Sequence, residues 1–224
     1  RSCPRSPRAA SKLADVTTTG RRLTGSDLAG DPLSVAPMLL GTRLVAGDVT
    51  LRLTEVEAYW GGNDPGSHGY RGMTPRTAVM FGPPGHLYVY RSYGIHWCAN
   101  VVVGSKGECA AVLLRAGEVV RGEETARDRR GDVRARDLAR GPGRLTRALG
   151  LTGEHDGSAL VGRRAPISLV APDEPVDPQR IRTGPRVGVS GPGGDGADYP
   201  WRFWLDGEPT VSAYRPGKPR VRRG

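Results

Sequence analysis

Val49-Thr50-Leu51-Arg52-Leu53-Thr54-Glu55-Val56-Glu57-Ala58 reads as a β-strand, and the rest of the chain is arranged around it. Side chains alternate faces along a strand, so Val49, Leu51 and Leu53 share one side. If no bulge intervenes, Glu55 and Glu57 continue that side, and a carboxylate ends an apolar row. A lone carboxylate is costly to desolvate, so one in that position needs a partner or a task. Tyr59 follows directly.

Outward from this strand, Gly61-Gly62-Asn63-Asp64-Pro65-Gly66 is a loop by composition and delivers His68. Phe81-Gly82-Pro83-Pro84-Gly85 is a second turn. His86-Leu87-Tyr88-Val89-Tyr90 and Trp97-Cys98-Ala99-Asn100-Val101-Val102-Val103 read as the two arms of a hairpin with Tyr93 at its tip. One carboxylate, several aromatics, a His and an Asn on loops and strand ends suit a pocket for a flat, polar ring.

The order and spacing of these pieces resemble the alkyladenine (3-methyladenine) DNA glycosylase family in its bacterial form. The resemblance runs through Glu57-Ala58-Tyr59, His68, the run from Met80 to Tyr90, Tyr93-Gly94-Ile95-His96-Trp97-Cys98-Ala99-Asn100, Leu113-Leu114-Arg115-Ala116 and Gly141-Pro142-Gly143-Arg144-Leu145. It spans about residues 36–212. Each piece alone is a weak signal; the ordered block 55–100 is specific.

The resemblance implies a base-excision repair enzyme acting on double-stranded DNA with damaged purines, of the 3-methyladenine, 7-methylguanine, hypoxanthine and ethenoadenine class. Such an enzyme flips the base out and hydrolyses its N-glycosidic bond, leaving an abasic site. Flipping is required because the stacked duplex hides that bond. By the resemblance Glu57 is the general base, and Arg115 lies near the backbone phosphate and the attacking water. Tyr59, His68 and Tyr90 sandwich the flipped base, Asn100 crowds out undamaged guanine, and Tyr93 is the wedge that fills the vacated stack. Each residue also has a bland reading. Glu57 could accept hydrogen bonds at a strand end, Arg115 could pair with Glu57 or Glu118, and the tyrosines could be core residues with satisfied hydroxyls. His68 could pack in its loop, Asn100 could satisfy a neighbour and Tyr93 could fold over the sheet. The alternative function is a non-catalytic damaged-DNA-binding protein on the same scaffold. No cofactor is implied and no metal: the four histidines show no ligand spacing, and there is no C-x-x-C.

The chain has 224 residues, enough for one domain with tails. Cys3, Cys98 and Cys109 are odd in number, which points to a reduced cytoplasmic setting, here the bacterial cytoplasm and nucleoid. No apolar run reaches transmembrane length, so no membrane partner is expected, and the expected state is a monomer. The net charge is +10, and the basic segments 1–22 and 215–224 hold all of it. These segments read either as disordered solubilising tails or as added phosphate affinity. Residues 23–214 form the glycosylase domain.

Elsewhere, a short helix over 34–40 stops at Gly41, and 43–46 is a strand joined to the first by Gly47-Asp48. Residues 109–115 are nearly all apolar, as in a central strand. The charge-dense stretch 121–140 reads by default as a solvated helix and mobile loop, with direct DNA contact the less favoured option. A helix over 143–149 ends at Gly150, and its start could face a phosphate or simply be capped. Residues 153–165 and 171–184 read as loop, and 166–170, 186–189 and 201–205 as strands. The expected fold is α+β: a single domain with a curved, mostly antiparallel β-sheet, short helices and a protruding β-hairpin.

Overall fold

The strand that opens the reading is β2 (Val49–Tyr59), in a computed structural model that describes residues 20–217. Its first half pairs antiparallel with β1 (Arg43–Ala46) across Gly47-Asp48, and its second half pairs with β8 (Arg202–Leu205). The other edge pairs along its length with β5 (Ala111–Arg121), whose first seven residues are buried at the centre of the sheet. Next to β5 stand β4 (His96–Val102) and β3 (Leu87–Ser92), the expected hairpin. β6 (Ile167–Val170) pairs with β1, and β7 (Ile181–Gly184) pairs with β8. Among the described residues eight strands form one antiparallel sheet with the path β3-β4-β5-β2-β1-β6 and β8-β7 attached to β2.

β2 does not keep one alternation. Its register against β5 shifts between Leu53 and Glu55 and again between Glu55 and Val56. Val49, Leu51 and Leu53 lie in the main core, and beyond the shift Val56 and Ala58 lie there instead. The bulge therefore turns Glu55 and Glu57 out of the apolar row, to the opposite face. A β-bulge re-aims side chains in this way because one extra residue reverses the parity of all that follow.

Among the described residues three α-helices pack on the sheet. α1 (Pro32–Met38) starts two residues earlier than expected because Asp31 caps it, accepting from the N–H groups of Leu33 and Ser34, with Pro32 in the first turn. α2 (Glu123–Arg130) and α3 (Pro142–Leu149) pack on each other. α3 ends at Gly150 in the left-handed region, as expected. The loop between them is tied down rather than mobile: Arg127 donates to the Val133 carbonyl, Arg130 to that of Leu138, and Gly117 N–H to that of Ala139.

Two further expectations are corrected. Residues 186–189 do not form a strand, because the Val187 N–H is used on the Glu57 carboxylate and the Arg186 side chain turns inward. Residues 181–184, expected as loop, form β7, whose exposed and polar makeup hides its pairing from sequence. The expected tails lie outside the described residues except at 20–22 and 215–217. There Arg22 bridges Val170, and the Arg21 carbonyl accepts from Ala171 N–H.

Candidate active site

Glu57 sits past the β2 bulge with its side chain fully buried. Its Oε1 accepts from Val187 N–H at 2.7 Å and lies 3.3 Å from Arg115 Nη1; its Oε2 accepts from the Tyr59 hydroxyl at 2.9 Å. Burial first, and then the negative charge of Glu57, raise the Tyr59 phenol well above its ordinary pKa. The phenol therefore stays protonated and donates.

Arg115 lies between two carboxylates. Its Nε donates to Glu55 at 3.0 Å, which turns Nη1 toward Glu57. Burial works against the Arg115 charge, but Glu57 and Glu55 outweigh it and raise the guanidinium pKa. Glu55 does not depend on Arg115 alone: it accepts from Arg202 Nε at 2.7 Å and from the Ser212 N–H at 2.7 Å and hydroxyl at 2.9 Å. Arg202 in turn lies over the Trp204 ring and donates to the Ser212 carbonyl. The buried group thus holds two carboxylates and two guanidiniums, a balance that avoids an uncompensated charge.

Tyr59 is held from its other side by Arg186, whose guanidinium lies 4.5 Å from the ring centroid. Arg186 is itself fully buried against Asp64, with 2.6 Å between Nη2 and Oδ1, and donates to the Ala58 and Gly193 carbonyls. The loop 61–66, expected from its composition, is thereby clamped beneath the site.

The second group is aromatic. His68 meets Tyr90 edge-to-face at 4.5 Å, its Nδ1 lies 3.2 Å from the Tyr88 hydroxyl, and Tyr88 stacks on Tyr90 at 5.5 Å. Partial burial, and then the charge of Arg76, lower the His68 pKa from its usual 6.5, which keeps the imidazole neutral near pH 7. Burial, followed by Cys98 and Glu57, raises the Tyr90 phenol. Arg76 stands 5.6 Å over Tyr90. Asn100 pairs across the hairpin with Tyr88 and donates its amide to the Tyr88 carbonyl, so it is buried under the same wall.

Tyr93 stands apart from both groups. It is 91% exposed at the hairpin tip, with φ at 49°, and Gly94 follows at 68°. The Ile95 N–H donates to the Ser92 carbonyl, so both central residues of the turn are left-handed, as a type I′ hairpin turn requires. Among the described residues Tyr93 is the one non-glycine with positive φ.

Of the seven residues singled out in the sequence, Glu57 contacts both Tyr59 and Arg115, His68 and Tyr90 form a ring cluster with Tyr88, whose carbonyl accepts from Asn100, and Tyr93 projects alone. Glu55, Arg202, Ser212, Val187 and the Arg186–Asp64 pair were not anticipated. Only Glu55 gave a signal, as a charge inside an apolar strand; its partners Arg202 and Ser212 lie 147 and 157 residues away. Among the described residues no three His, Cys, Asp or Glu side chains gather as metal ligands, and no helix is long and apolar enough to cross a membrane.

Residues 26–209 match the family model described as methylpurine-DNA glycosylase. A Streptomyces avermitilis relative is 52% identical over 207 residues, covering 90% of this chain and 95% of its own. A Frankia casuarinae relative is 49% identical over 209 residues, at 89% and 96% coverage, and one from Mycobacterium tuberculosis is 48% identical over 208, at 90% and 98%. All three carry the name 3-methyladenine DNA glycosylase.

Proposed function

The chain belongs to the methylpurine-DNA glycosylase family, and from that premise we propose how its residues release a damaged purine from duplex DNA. It is a DNA N-glycosylase. The finer reading is that it flips out 3-methyladenine, 7-methylguanine, hypoxanthine and ethenoadenine, and leaves an abasic site in an intact strand. It works as a monomer in the bacterial cytoplasm, through the domain spanning 23–214.

The observation that carries this reading is the buried Glu57 carboxylate, fixed by two donors from Val187 and Tyr59 and by the Arg115 guanidinium 3.3 Å away, beside an aromatic cluster. Cleavage builds positive charge on the sugar, and a pre-aimed carboxylate stabilises that charge without reorganising. Water adds its oxygen to C1′, the C1′–N electron pair leaves with the base, and Glu57 takes the proton of the water. A base alkylated to a cation leaves as a neutral molecule, so one carboxylate suffices; hypoxanthine and ethenoadenine leave as anions and take their proton from solvent. Arg115 holds Glu57 in place and faces the phosphate side.

Flipping costs a few kcal/mol, and stacking returns about 1–3 kcal/mol per base. Tyr59 forms one face of the base slot; His68 and Tyr90 together form the other. A neutral His68 suits a cationic base, because a protonated ring would repel it. Asn100 limits entry of the exocyclic amine of guanine, and Tyr93 occupies the gap in the duplex.

Cutting the strand as well would require an amine nucleophile. Among the described residues the sole lysine is Lys106, exposed in the turn between β4 and β5. The test is incubation with duplexes carrying each lesion, scoring free base, abasic sites and strand breaks. Free base with intact strands is expected; a borohydride-trapped protein–DNA adduct overturns the single-activity assignment, and no base release from any lesion overturns the reading.

A further inference from the structure

The domain is neutral on balance, yet seven of its arginines cluster on α2, α3 and the loop between them. On α3 and the loop before it, Arg134, Arg136, Arg140 and Arg144 all lie within 4.0 Å of the single carboxylate of Asp137. Beside them Arg129, Arg130 and Arg147 donate to the carbonyls of Ala148, Leu138 and Arg129 at 2.9, 2.8 and 2.6 Å. A carbonyl anchors a guanidinium without cancelling its charge. The crowding is felt within the patch: burial, and then Arg144 and Arg147, lower the pKa of Arg130. The acids of α2 do not relieve it. Glu123 is used by Arg127, and Glu124 and Asp128, four residues apart, share a helical stripe about opposite Arg130.

The place of this patch matters as much as its charge. The Cα of Gly143 at the start of α3 packs against His96 so closely that an added Cβ would lie 2.8 Å from the His96 side chain, and His96 is the residue where β4 leaves the hairpin tip. Arg140 bridges Ala116, the neighbour of Arg115, and its Nε donates to the carbonyl of Val211, the neighbour of Ser212. The patch therefore joins the hairpin tip on one side and the buried carboxylates on the other. Phosphates spaced along a duplex are the counter-charge that such a cluster fits.

We propose that the arginines of α3 and its preceding loop form the surface that holds the phosphodiester backbone of the DNA next to the hairpin tip. This rests on the glycosylase reading for the identity of the polyanion. Arg136 and Arg144 are exposed and stand farthest from Asp137, at 4.0 and 3.8 Å, so they meet phosphates as charges; Arg129, Arg130 and Arg147 stiffen the platform.

The test is the salt dependence of equilibrium binding, by fluorescence anisotropy, to one duplex with and without a lesion, for the full chain. Each neutralised phosphate contributes a slope of about −0.9 in log K against log salt. Arg136→Gln/Arg144→Gln should flatten the slope by roughly 2 and weaken binding on both duplexes by the same factor. Arg136→Lys/Arg144→Lys should keep the slope, because a lysine still meets phosphate as a point charge. The control is Arg163→Gln/Arg164→Gln, exposed residues beyond Val161, which packs on Gly85 at the far end of the hairpin. An unchanged slope in the Gln pair, an equal flattening in the control, loss confined to the lesion duplex, or a flattened slope in the Lys pair each overturns the proposal. Because the readout is binding, a protein that shows the patch-dependent slope but releases no base would keep this inference and sink the catalytic one.

Discussion

Glu57→Gln keeps the shape of the side chain and its acceptor oxygen but can neither take a proton from water nor present a full negative charge to the sugar. Single-turnover excision should fall by at least 100-fold, on the order of a lost general base, with lesion affinity nearly unchanged. Near-normal excision would refute the role, and lost binding by a folded variant would mark a structural carboxylate. A second residue-scale expectation concerns His68. Its pKa is lowered, so its folded value lies below its unfolded one. Over that window the unfolded chain binds the proton more readily, and stability falls as pH drops below about 6.5. Ring NMR of His68 should give a midpoint below 6.5; one at or above that value would count against a desolvated ring. At this scale the sequence revealed the residues whose identities are unusual for their setting: a carboxylate in a strand, aromatics on loops. It hid Arg202, Ser212 and Val187, because nothing local to residues 187, 202 or 212 records that a carboxylate from β2 waits there.

The hairpin is the element most plainly legible, since alternating runs around Tyr93-Gly94 fix both arms. What alternation cannot show is conformation: Tyr93 occupies a left-handed position that costs an L-residue with a side chain roughly 1–2 kcal/mol. Tyr93→Gly should therefore stabilise the fold by up to about 1 kcal/mol in denaturant melts, while impairing excision from a stable pair more than from a mismatched one. Tyr93→Ala should show the same catalytic loss with less of the stability gain. If Gly does not stabilise relative to Ala, the strain argument fails; equal losses on the two substrates would remove the wedge. β2 shows the opposite case. Its strand character was evident, but its bulge was not, because one inserted residue leaves no mark on an apolar-polar pattern that ends in two glutamates.

At the scale of the molecule, the α+β class and antiparallel sheet follow from many short alternating segments with few helices. The order of strands does not, since β8 reaches β2 from the far end of the chain. That long reach carries stability. Arg186 and Asp64, both fully buried, tie the loop after β2 to the segment after β7. Arg186→Met removes one partner and leaves a buried, unpaired carboxylate, so stability should fall by about 3–5 kcal/mol. Chemical denaturation checks this; a loss under 1 kcal/mol would show that water takes over the role of the guanidinium.

The ring of partners around Glu55 and Glu57 also has a history within each new copy of the protein. As the chain leaves the ribosome both glutamates emerge first, Arg115 follows 58 residues after Glu57, and until Arg202 is made one guanidinium faces two carboxylates. Val187, Arg202 and Ser212 arrive 130, 147 and 157 residues behind the glutamates they serve. Contacts this distant in sequence form late, because a long loop must close before they return anything. The centre of the molecule is thus finished from its late-made segments, and a message cut short before the codon for Arg202 yields a chain with most of its sheet strands and no assembled site.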